Sequence, residues 1–415
     1  MTIEIERGLA IRPALSRCIN IGVEQFADEY WGKKPLLSTA ETLDRAFGDL
    51  FSPESVDELV SERGLRTPFV RMANEGTVLD PSRYTAPGGF GAEVGDQLSS
   101  EKVLTEFASG ATIVLQGLHR TWGPIIDFTR DLITDIGHPA QVNAYVTPAS
   151  SRGFDPHYDV HDVFVLQISG EKHWVIHEPA HVDPLRGQPW SDYKAEVGEK
   201  AKGTPVIDQV LKPGDALYLP RGWIHSATAL GDTSIHLTIG MAAFTRYEIV
   251  KAALDAAAKN PALRSSLPLG IDLADPDALS EIVRETIAEL TGDIENASEA
   301  GIASTVSGRL TREFAKITRP EPVRPLATVD RITRLGSGDV VRWRKGLIAS
   351  LQATEATADI LLGSKTLSLP PQCASALQQL HEGEPVALDE FAGLDLEDSI
   401  VVARRLLREG VLVFA

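Results

Sequence analysis

The chain has 415 residues, of which 43% are hydrophobic and 24% charged, values that are ordinary for a soluble globular protein. A chain of this length is expected to fold as two or three domains rather than around one core. Its formal net charge of −18 argues against a general affinity for nucleic acid or anionic membranes, because a strongly acidic surface repels both. The acidity suits a basic protein or peptide partner, and it equally serves solubility alone.

The two cysteines, Cys18 and Cys373, lie far apart and form no CxxC pair. This excludes a zinc site made of thiolates and a disulfide framework, so a reducing compartment, the cytoplasm, is the expectation. The N-terminal segment lacks the continuous apolar stretch of a signal peptide. No apolar run reaches the roughly 18 residues of a membrane helix, so we expect no membrane insertion.

The first 110 residues read as mixed helix and loop, and the character of the sequence then changes. Short β-type runs follow one another, separated by Gly, Pro and Asp turns. These runs cover residues 111–118, 141–149, 161–169, 172–178, 214–220 and 234–240. Many short strands bounded by such turns predict a sandwich or barrel, and a jelly roll closed from two sheets is the expected form.

After residue 245 the β pattern disappears. Three segments have apolar residues three and four apart, which predicts amphipathic helices, and a proline-rich linker follows at 318–325. The last part ends in the predicted order helix, short helix, longer helix and terminal strand, which resembles a winged-helix module. We therefore predict a mainly β domain with an N-terminal helical extension at 1–244, a helical domain at 245–318 and a winged-helix-like domain at 319–415.

The string Pro156-His157-Tyr158-Asp159 is the strongest chemical motif. If it lies on a strand, side chains alternate between the two faces, so His157 and Asp159 point the same way with Cα atoms roughly 6.6 Å apart. Both side chains can then reach one metal ion. The pattern H-x-D is weak by itself, and a histidine at a barrel rim is an equally good interpretation of His157.

A third metal ligand must come from another part of the chain. His161 shares the face of His157 but would lie about 13 Å away along an extended strand, too far for bonds of roughly 2 Å to a common ion. His225 follows a predicted strand and a short turn, and it is better placed. Two histidines and one aspartate form the facial triad that leaves positions open on Fe(II), although a structural role for His225 stays open on the pattern alone.

Two long motifs resemble the JmjC domain of the ribosomal oxygenase family. They are NAYVTPASSRGFDPHYDVHDVFVLQISGEKHWVIHEP and KPGDALYLPRGWIHSATALGDTSIHLTIG, and the early string FADEYWGKKPLL also resembles the opening segment of that family. The resemblance covers most of the chain, since the helical block after 245 resembles the family's dimerisation domain and the C-terminal part its winged helix. It implies a mainly β, cupin-like catalytic domain, a homodimer, and hydroxylation of a protein side chain.

The same resemblance implies the site residues and the cofactors. It places the iron ligands at His157, Asp159 and His225, with 2-oxoglutarate and O2 as co-substrates. The basic residue that holds the distal carboxylate of 2-oxoglutarate falls on Lys172, within Gly-Glu-Lys. Further residues of the co-substrate pocket fall on Asn143, Tyr145 and Thr238. A buried carboxylate needs a cation and hydrogen-bond donors, so these residue types are chemically reasonable.

Two other functions are compatible with parts of the sequence. One is a cupin-type metalloenzyme that does not use 2-oxoglutarate, although such enzymes usually offer H-x-H and a distant glutamate. The other is a non-catalytic regulator with a DNA-reading winged helix. Residues 366–415 contain three arginines, no lysine and eight acidic residues, so DNA binding by this part is not expected.

The identity of the protein substrate is not encoded in a recognisable motif. The family modifies arginine or histidine side chains of ribosomal proteins, and an acidic surface would suit a basic ribosomal protein. Both residue types are therefore candidate targets.

Overall fold

The computed structural model describes residues 12–74, 76–91, 93–149, 155–296, 299–363 and 365–415. The chain forms two compact units, Met1–Ala243 and Phe244–Ala415. Each unit is described separately below.

The first unit is built mainly from antiparallel strands. They are β1 Leu36–Ser38, β2 Val70–Asn74, β3 Thr77–Val78, β4 Thr85–Ala86, β5 Gln97–Leu98, β6 Thr112–Leu115, β7 Ala140–Thr147, β8 Asp162–His177, β9 Ile207–Leu211, β10 Ala216–Leu219 and β11 Ile224–Met241. The prediction of a mainly β domain is thus confirmed for this unit.

Seven helices and two 3-10 turns accompany these strands. The helices are α1 Pro13–Ser16, α2 Val23–Glu29, α3 Pro53–Ser61, α4 Ser100–Ala108, α5 Leu118–Thr121, α6 Gly123–Ile136 and α7 Lys194–Lys200 within the described residues, and the 3-10 turns are Pro81–Arg83 and Trp190–Tyr193. In α6 the buried side chains Ile125, Phe128, Thr129 and Leu132 recur three or four residues apart. This spacing gives the helix one apolar face for the core of the unit.

Most strands form one sheet in the order β1-β10-β8-β11-β7-β6-β2-β3, and β9 pairs with β8. The long strands β8 and β11 pair twice, once near Ile224–Leu230 and again near Ile235–Met241, with register shifts in between. Strand β9 pairs with the C-terminal half of β8, and β10 pairs with its N-terminal half. Two bent strands therefore contribute to both halves of the sheet, as a jelly roll requires.

The bend in β8 lies at Gly170, where φ is +63°. A Cβ atom at this position would stand 2.2 Å from the carbonyl oxygen of Thr233. Only glycine combines this left-handed backbone with such a close approach. The turn places Lys172 at the start of the second half of β8.

The structure corrects the predicted strand boundaries. The runs 161–169 and 172–178 were predicted as two strands, but they form the single strand β8, because Gly170 bends the chain without ending its pairing. The run 234–240 is only the second half of β11, which already begins at Ile224. The first half of β11 has mixed burial, so it lacks the clean alternation on which a strand prediction depends.

The second unit begins with helices and continues with short strands. Its helices are α8 Arg246–Ala257, α9 Pro276–Asn296, α10 Glu299–Ile317, α11 Pro325–Ile332, α12 Ala374–His381 and α13 Leu396–Arg408. Its strands are β12 Val340–Trp343, β13 Ala349–Ala353, β14 Ala358–Leu362, β15 Lys365–Leu369, β16 Val386–Ala387 and β17 Leu412–Phe414. Three-residue 3-10 turns lie at Ala262–Arg264, Pro371–Cys373 and Leu388–Glu390.

Three helices lie where the sequence pattern predicts them, in α8, α9 and α10. Helix α8 begins at a capping box in which Thr245 and Glu248 each bond the backbone of the other. The C-terminal part follows the expected order, with α12, a 3-10 turn, α13 and β17 around a separate hydrophobic core. The identification of this part as a winged helix, the dimerising role of the helices and the boundary at 318 stay predictions. None of the described helices is long and apolar enough to cross a membrane.

Candidate active site

A cavity of about 270 Å³ lies against the inner face of the sheet in the first unit. Side chains alternate between the faces of a strand, and cross-strand partners share a face. A row of cross-strand partners runs from β2 through β6 and β7 to β11. Its members are, in this order, Arg71, Val114, Tyr145 and His236. This row crosses the cavity wall, and three of its four members line the cavity.

One end of the cavity is formed by His157 and His225. The backbone groups of these two residues bond each other, with N–O distances of 3.1 and 2.8 Å. The two imidazole rings have their centroids 4.4 Å apart. The structure thus brings together two histidines that are 68 positions apart in the sequence.

Both rings are oriented by the chain itself. Nδ1 of His157 lies 2.7 Å from the carbonyl oxygen of Asp155, and Nδ1 of His225 lies 3.0 Å from that of Trp223. Since a carbonyl only accepts, each Nδ1 carries the proton, and Nε2 carries the lone pair. This is the tautomer that metal-binding histidines adopt when a second group orients them.

Asp159 completes this end of the cavity. Its Oδ2 atom lies 3.8 Å from Nε2 of His225, and about a third of its side chain is exposed. Burial raises the pKa of Asp159. The nearby rings of His161, His225 and His157 together lower it by more, so the net pKa lies below its usual value. Burial, followed by the neighbouring His157, lowers the pKa of His225 to about 4. Near neutral pH this end therefore holds one carboxylate beside the neutral imidazole of His225.

The types of donor atom fit a metal ion, but the donor atoms of Asp159 and His225 lie farther apart than two ligands of one metal. Ligands bound at about 2.1 Å with a right angle between their bonds lie roughly 3 Å apart, less than the 3.8 Å between Asp159 and His225. In the part of the chain that the structure describes, no three His, Cys, Asp or Glu side chains converge to metal-binding distances. The side chain of Asp159 must move by about 1 Å to bind a metal together with His225.

The segment around Asp159 is not a regular strand, which was the condition for placing His157 and Asp159 on one face by alternation. His157 forms an isolated bridge to His225, and residues 158–161 are loop and bend. The distance argument against His161 therefore loses its basis, because the chain is not extended there. His161 lies close enough to lower the pKa of Asp159, but it packs on Gly240 and does not line the cavity.

The other end of the cavity contains Lys172, whose side chain is 3% exposed. Its Nζ atom donates to Oγ1 of Thr147 at 3.2 Å. Burial lowers the pKa of Lys172 to about 7. Among the described residues no carboxylate pairs with this ammonium group, so this end lacks an anion.

An aromatic group lies between the two ends. Tyr145 and His236 stack with ring centroids 5.1 Å apart and an interplanar angle of 5°. Trp174 packs edge-on to His236 at 5.5 Å and lies 6.2 Å from His225. Burial, and then the charge of Lys172, lower the pKa of His236 far below its usual value, so this ring is neutral.

Two of the remaining predicted residues differ in their placement. Thr238 lines the cavity, as do Tyr145 and Lys172. Asn143 lies opposite Thr238 in the strand register but is not part of the cavity lining. Its Oδ1 atom accepts a hydrogen bond from the backbone N–H of Gly117 at 3.0 Å, which fixes the end of β6 against β7.

The sequence analysis missed Arg71, Trp174, Trp190 and His236 as cavity residues. Trp190 lies in a 3-10 turn outside the sheet, with its ring centroid 6.0 Å from that of His157. No motif marks a tryptophan in a turn. The alternation along β7 and β11 would have identified His236, because it lies two residues from Thr238 on the same face.

Comparison with known proteins agrees with this geometry. The family model of the JmjC domain matches residues 125–249. Ribosomal oxygenase 2 of Mus musculus is 33% identical over 214 residues, which are 46% of this chain and 43% of that protein. Ribosomal oxygenase 1 of Gallus gallus is 33% identical over 220 residues, 52% of this chain and 34% of that protein. Residues 125–249 thus match the JmjC domain, and the chain is similar to ribosomal oxygenases over about half of its length.

The similarity to these relatives covers only part of their length. The bifunctional lysine-specific demethylase and histidyl-hydroxylase NO66 of Aedes aegypti is 29% identical over 53% of this chain and 33% of its own length. The match thus spans less than half of these JmjC relatives. YcfD, a ribosomal oxygenase from Escherichia coli solved with cobalt and 2-oxoglutarate, covers 95% of this chain and 99% of its own with a TM-score of 0.51. At 18% identity this last likeness establishes the fold alone.

Proposed function

We propose that this JmjC protein is an Fe(II)- and 2-oxoglutarate-dependent oxygenase that hydroxylates a side chain of a protein substrate. The observation that carries the proposal is the pairing of two unlike ends in one cavity. His157, Asp159 and His225 offer one carboxylate and two oriented imidazoles, and Lys172 offers a buried cation without an anion. A metal-chelating diacid has the chemistry to join them.

Each chain residue has a definite task in this proposal. His157, Asp159 and His225 would hold Fe(II), leaving three positions open, and Lys172 with Thr147 would hold the distal carboxylate of 2-oxoglutarate. Bound Fe(II), with 2-oxoglutarate and O2, supplies the oxidising chemistry that protein side chains lack. Trp174, Tyr145 and His236 would pack beside the co-substrate and exclude water from it.

The cupin-type alternative without 2-oxoglutarate is less well supported. Such a metalloenzyme needs no buried cation at the far end of the cavity, and an unpaired ammonium group there is costly. Lys172 lies at this far end of the cavity, and burial alone lowers its pKa. The binding of a carboxylate would give a buried lysine at this place a function.

Exposed apolar side chains and the net charge are the grounds for our proposals on assembly and partner. Helices α8 and α9 carry exposed apolar side chains, including Ile249, Val283 and Ile287, which are about half exposed. We propose that residues 245–318 form a homodimer through them, and that residues 319–415 form a winged-helix-like protein-contacting domain. An acidic chain of net charge −18 suits a basic partner, for which a ribosomal protein is our candidate.

Succinate release from 2-oxoglutarate with added Fe(II) tests the reaction type. Mass spectrometry of ribosomal proteins from wild-type and deletion cells then tests the substrate, as a 16 Da difference on one histidine or arginine. A protein that binds Fe(II) but shows no saturable 2-oxoglutarate binding would contradict the proposal and return the cupin-type alternative.

A further inference from the structure

A small hydrophobic cluster adjoins the proposed metal end of the cavity, the end formed by His157, Asp159 and His225. Its buried members come from three separate segments of the chain and are Tyr158, Val197 and Ile224. Tyr158 stands between His157 and Asp159 in the sequence, and none of the buried cluster members lines the cavity. Ile224 immediately precedes His225. Each of the three proposed ligands is therefore bonded directly to a residue of this cluster, and α7 contributes the third member.

Most of the remaining cluster comes from residues 184–201, which we call the connecting segment. It lies between β8 and β9 in the chain and contains a 3-10 turn and helix α7. Trp190, Tyr193 and Ala201 are partly buried against the cluster. Trp190 also lines the cavity, where its ring centroid lies 6.0 Å from that of His157. The connecting segment thus reaches the metal end both through the cluster and from the cavity side.

One hydrogen bond joins Tyr158 to the connecting segment. The Tyr158 hydroxyl donates to the backbone carbonyl oxygen of Gln188 at 2.9 Å. Gln188 is itself held by Leu185, because the backbone N–H of Gln188 donates to the carbonyl of Leu185 at 2.9 Å and its Oε1 atom accepts from the N–H of Leu185 at 2.9 Å. The acceptor therefore has a fixed position. Since Tyr158 is 1% exposed, a hydroxyl that lost this partner would find no water to replace it.

The backbone around Asp159 has few bonds that fix it. Residues 158–161 are loop and bend rather than strand. In the described part of the chain, this stretch is held by the two backbone bonds between His157 and His225 and by one from the N–H of Gly222 to the carbonyl of Asp159 at 3.0 Å. All of these bonds come from the start of β11 and the turn before it. The rest of the position of this stretch depends on side-chain packing.

Tyr158 supplies that packing. Because it is bonded to both His157 and Asp159, a shift of its ring would displace both proposed ligands together. The side chain of Asp159 must approach His225 from its present 3.8 Å to bind a common metal. A ring that Gln188 holds in place lets the carboxylate make this movement while the backbone beneath it stays fixed.

We propose that Tyr158 is a positioning residue of the metal end, and that its bond to Gln188 makes metal binding and the packing of the connecting segment support each other. This inference rests on the metal site of the proposed function. The coupling is reciprocal: if the packed segment raises the affinity for a metal, a bound metal favours the packed segment by the same factor. Groups that hold metal ligands from outside typically change metal affinity by about 10- to 100-fold, and for one hydroxyl we expect the lower figure.

Tyr158→Phe tests the hydroxyl and keeps the ring in the cluster. Zn(II) affinity of the full chain is measured by competition with a chromophoric chelator, and binding that persists in His225→Ala is subtracted as binding elsewhere. We expect the affinity to fall about tenfold in Tyr158→Phe. Tyr84→Phe is the matched control, because Tyr84 is equally buried and bonds to the backbone of Met72 but belongs neither to the cavity lining nor to the cluster. It should bind Zn(II) like the wild-type protein.

Amide hydrogen exchange gives a readout that a merely structural tyrosine would not move. In the wild-type protein Zn(II) should slow the exchange of amides in residues 184–201, because the metal favours their packed arrangement. This slowing should be lost in Tyr158→Phe, even at saturating Zn(II), and retained in Tyr84→Phe. Gln188→Ala removes the side-chain bond to Leu185 that fixes the acceptor, so it should lower Zn(II) affinity by about threefold. It keeps the inference testable if Tyr158→Phe does not fold.

The results that overturn the inference are distinct from a failure of the proposed function. Zn(II) affinity of Tyr158→Phe within about twofold of the wild-type value overturns it, as does an equal fall in Tyr84→Phe. Exchange in residues 184–201 that does not respond to Zn(II) in the wild-type protein overturns the coupling. Zn(II) binding at the site without any 2-oxoglutarate binding would contradict the proposed function alone. Absence of Zn(II) binding by the wild-type protein would contradict both.

Discussion

The two ends of the cavity differ in how firmly the fold sets them. Lys172 lies inside a long paired strand, is 3% exposed and already contacts Thr147. The proposed metal end combines a strand residue, His225, with His157 and Asp159 on an irregular segment, and the Oδ2 atom of Asp159 remains 3.8 Å from Nε2 of His225. The lysine end is therefore preorganised, whereas under the proposed function a bound ion would complete the metal end.

This difference has an energetic reason. A buried ammonium group cannot be solvated by water, so its position must be fixed by the strand that carries it. Carboxylate and imidazole ligands would recover the cost of reorganisation through metal bonds, and about a third of the side chain of Asp159 is exposed in the absence of a metal. We expect substitutions at the two ends to fail in different ways.

The largest effect is expected at the metal end. His157→Ala, Asp159→Ala or His225→Ala should each reduce succinate release to background, at least about a thousandfold, because each removes a third of the ligand set. His161→Ala should retain most of the activity, since His161 does not line the cavity. Substantial succinate release by the His225 variant would break the assignment of the metal end.

The next effect concerns the lysine end. Lys172→Ala should weaken 2-oxoglutarate binding by about a hundredfold or more, because loss of one partner of a buried charge pair costs roughly 3–5 kcal/mol. Metal binding should persist, which separates the two ends experimentally. Titration of 2-oxoglutarate against Zn(II)-loaded protein measures this.

A matched lysine controls for general effects of charge removal. Lys200 lies in α7 and pairs with Glu178 at the surface, so Lys200→Ala should bind 2-oxoglutarate like the wild-type protein. Equal affinities in the wild-type and Lys172 variants would place the distal carboxylate elsewhere in the cavity.

A third change tests how the backbone sets the lysine end. Gly170→Ala should lower the free energy of unfolding by about 3 kcal/mol, because the new Cβ atom would meet the carbonyl of Thr233. Gly231→Ala is the matched control, since Gly231 has nearly the same φ of +62° but nothing within 4 Å of its Cβ position. It should cost about 1 kcal/mol. Equal losses in urea unfolding would show that the close approach is unimportant.

The smallest effect is a pH dependence that belongs to the lysine end alone. Burial lowers the pKa of Lys172 to about 7 in the ligand-free protein, and the distal carboxylate binds only the charged form. The affinity for 2-oxoglutarate should thus be constant below pH 7 and fall by up to about tenfold per pH unit above it. Lys172→Arg should remove this dependence, and a flat wild-type profile from pH 6 to 9 would contradict the assignment.

Sequence reasoning named three residues that the structure brings together in one cavity, but it described the elements that carry them less well. The spacing of His157, Asp159 and His225 indicated a metal site, and the structure places all three at one end of a cavity. The condition that His157 to Asp159 lie on a strand is not met, because local alternation carries no information on whether a partner strand is present. Backbone pairing of His157 with His225 brings the two rings together.

Other features required three-dimensional information. The β8 strand continues through Gly170 because Thr233 lies beside it, a contact between residues 63 positions apart. Asn143 has the alternation of a cavity residue, but its amide is used by the backbone of Gly117. Arg71 precedes the β motifs in the sequence, and only the β2–β6–β7 register brings it beside Tyr145.

The shared ladder of β8 and β11 has a consequence for how the site opens. Both ends of the cavity depend on this one pair of strands, since Lys172 is opposite Ala229 and His225 is opposite Ile176 in its register. Amide protons along such a ladder exchange with solvent through one cooperative opening. A ligand that contacts only Lys172 should therefore slow the exchange of amides around His225 as well. The two ends of the cavity would then open in one event, although the fold fixes their side chains to different degrees.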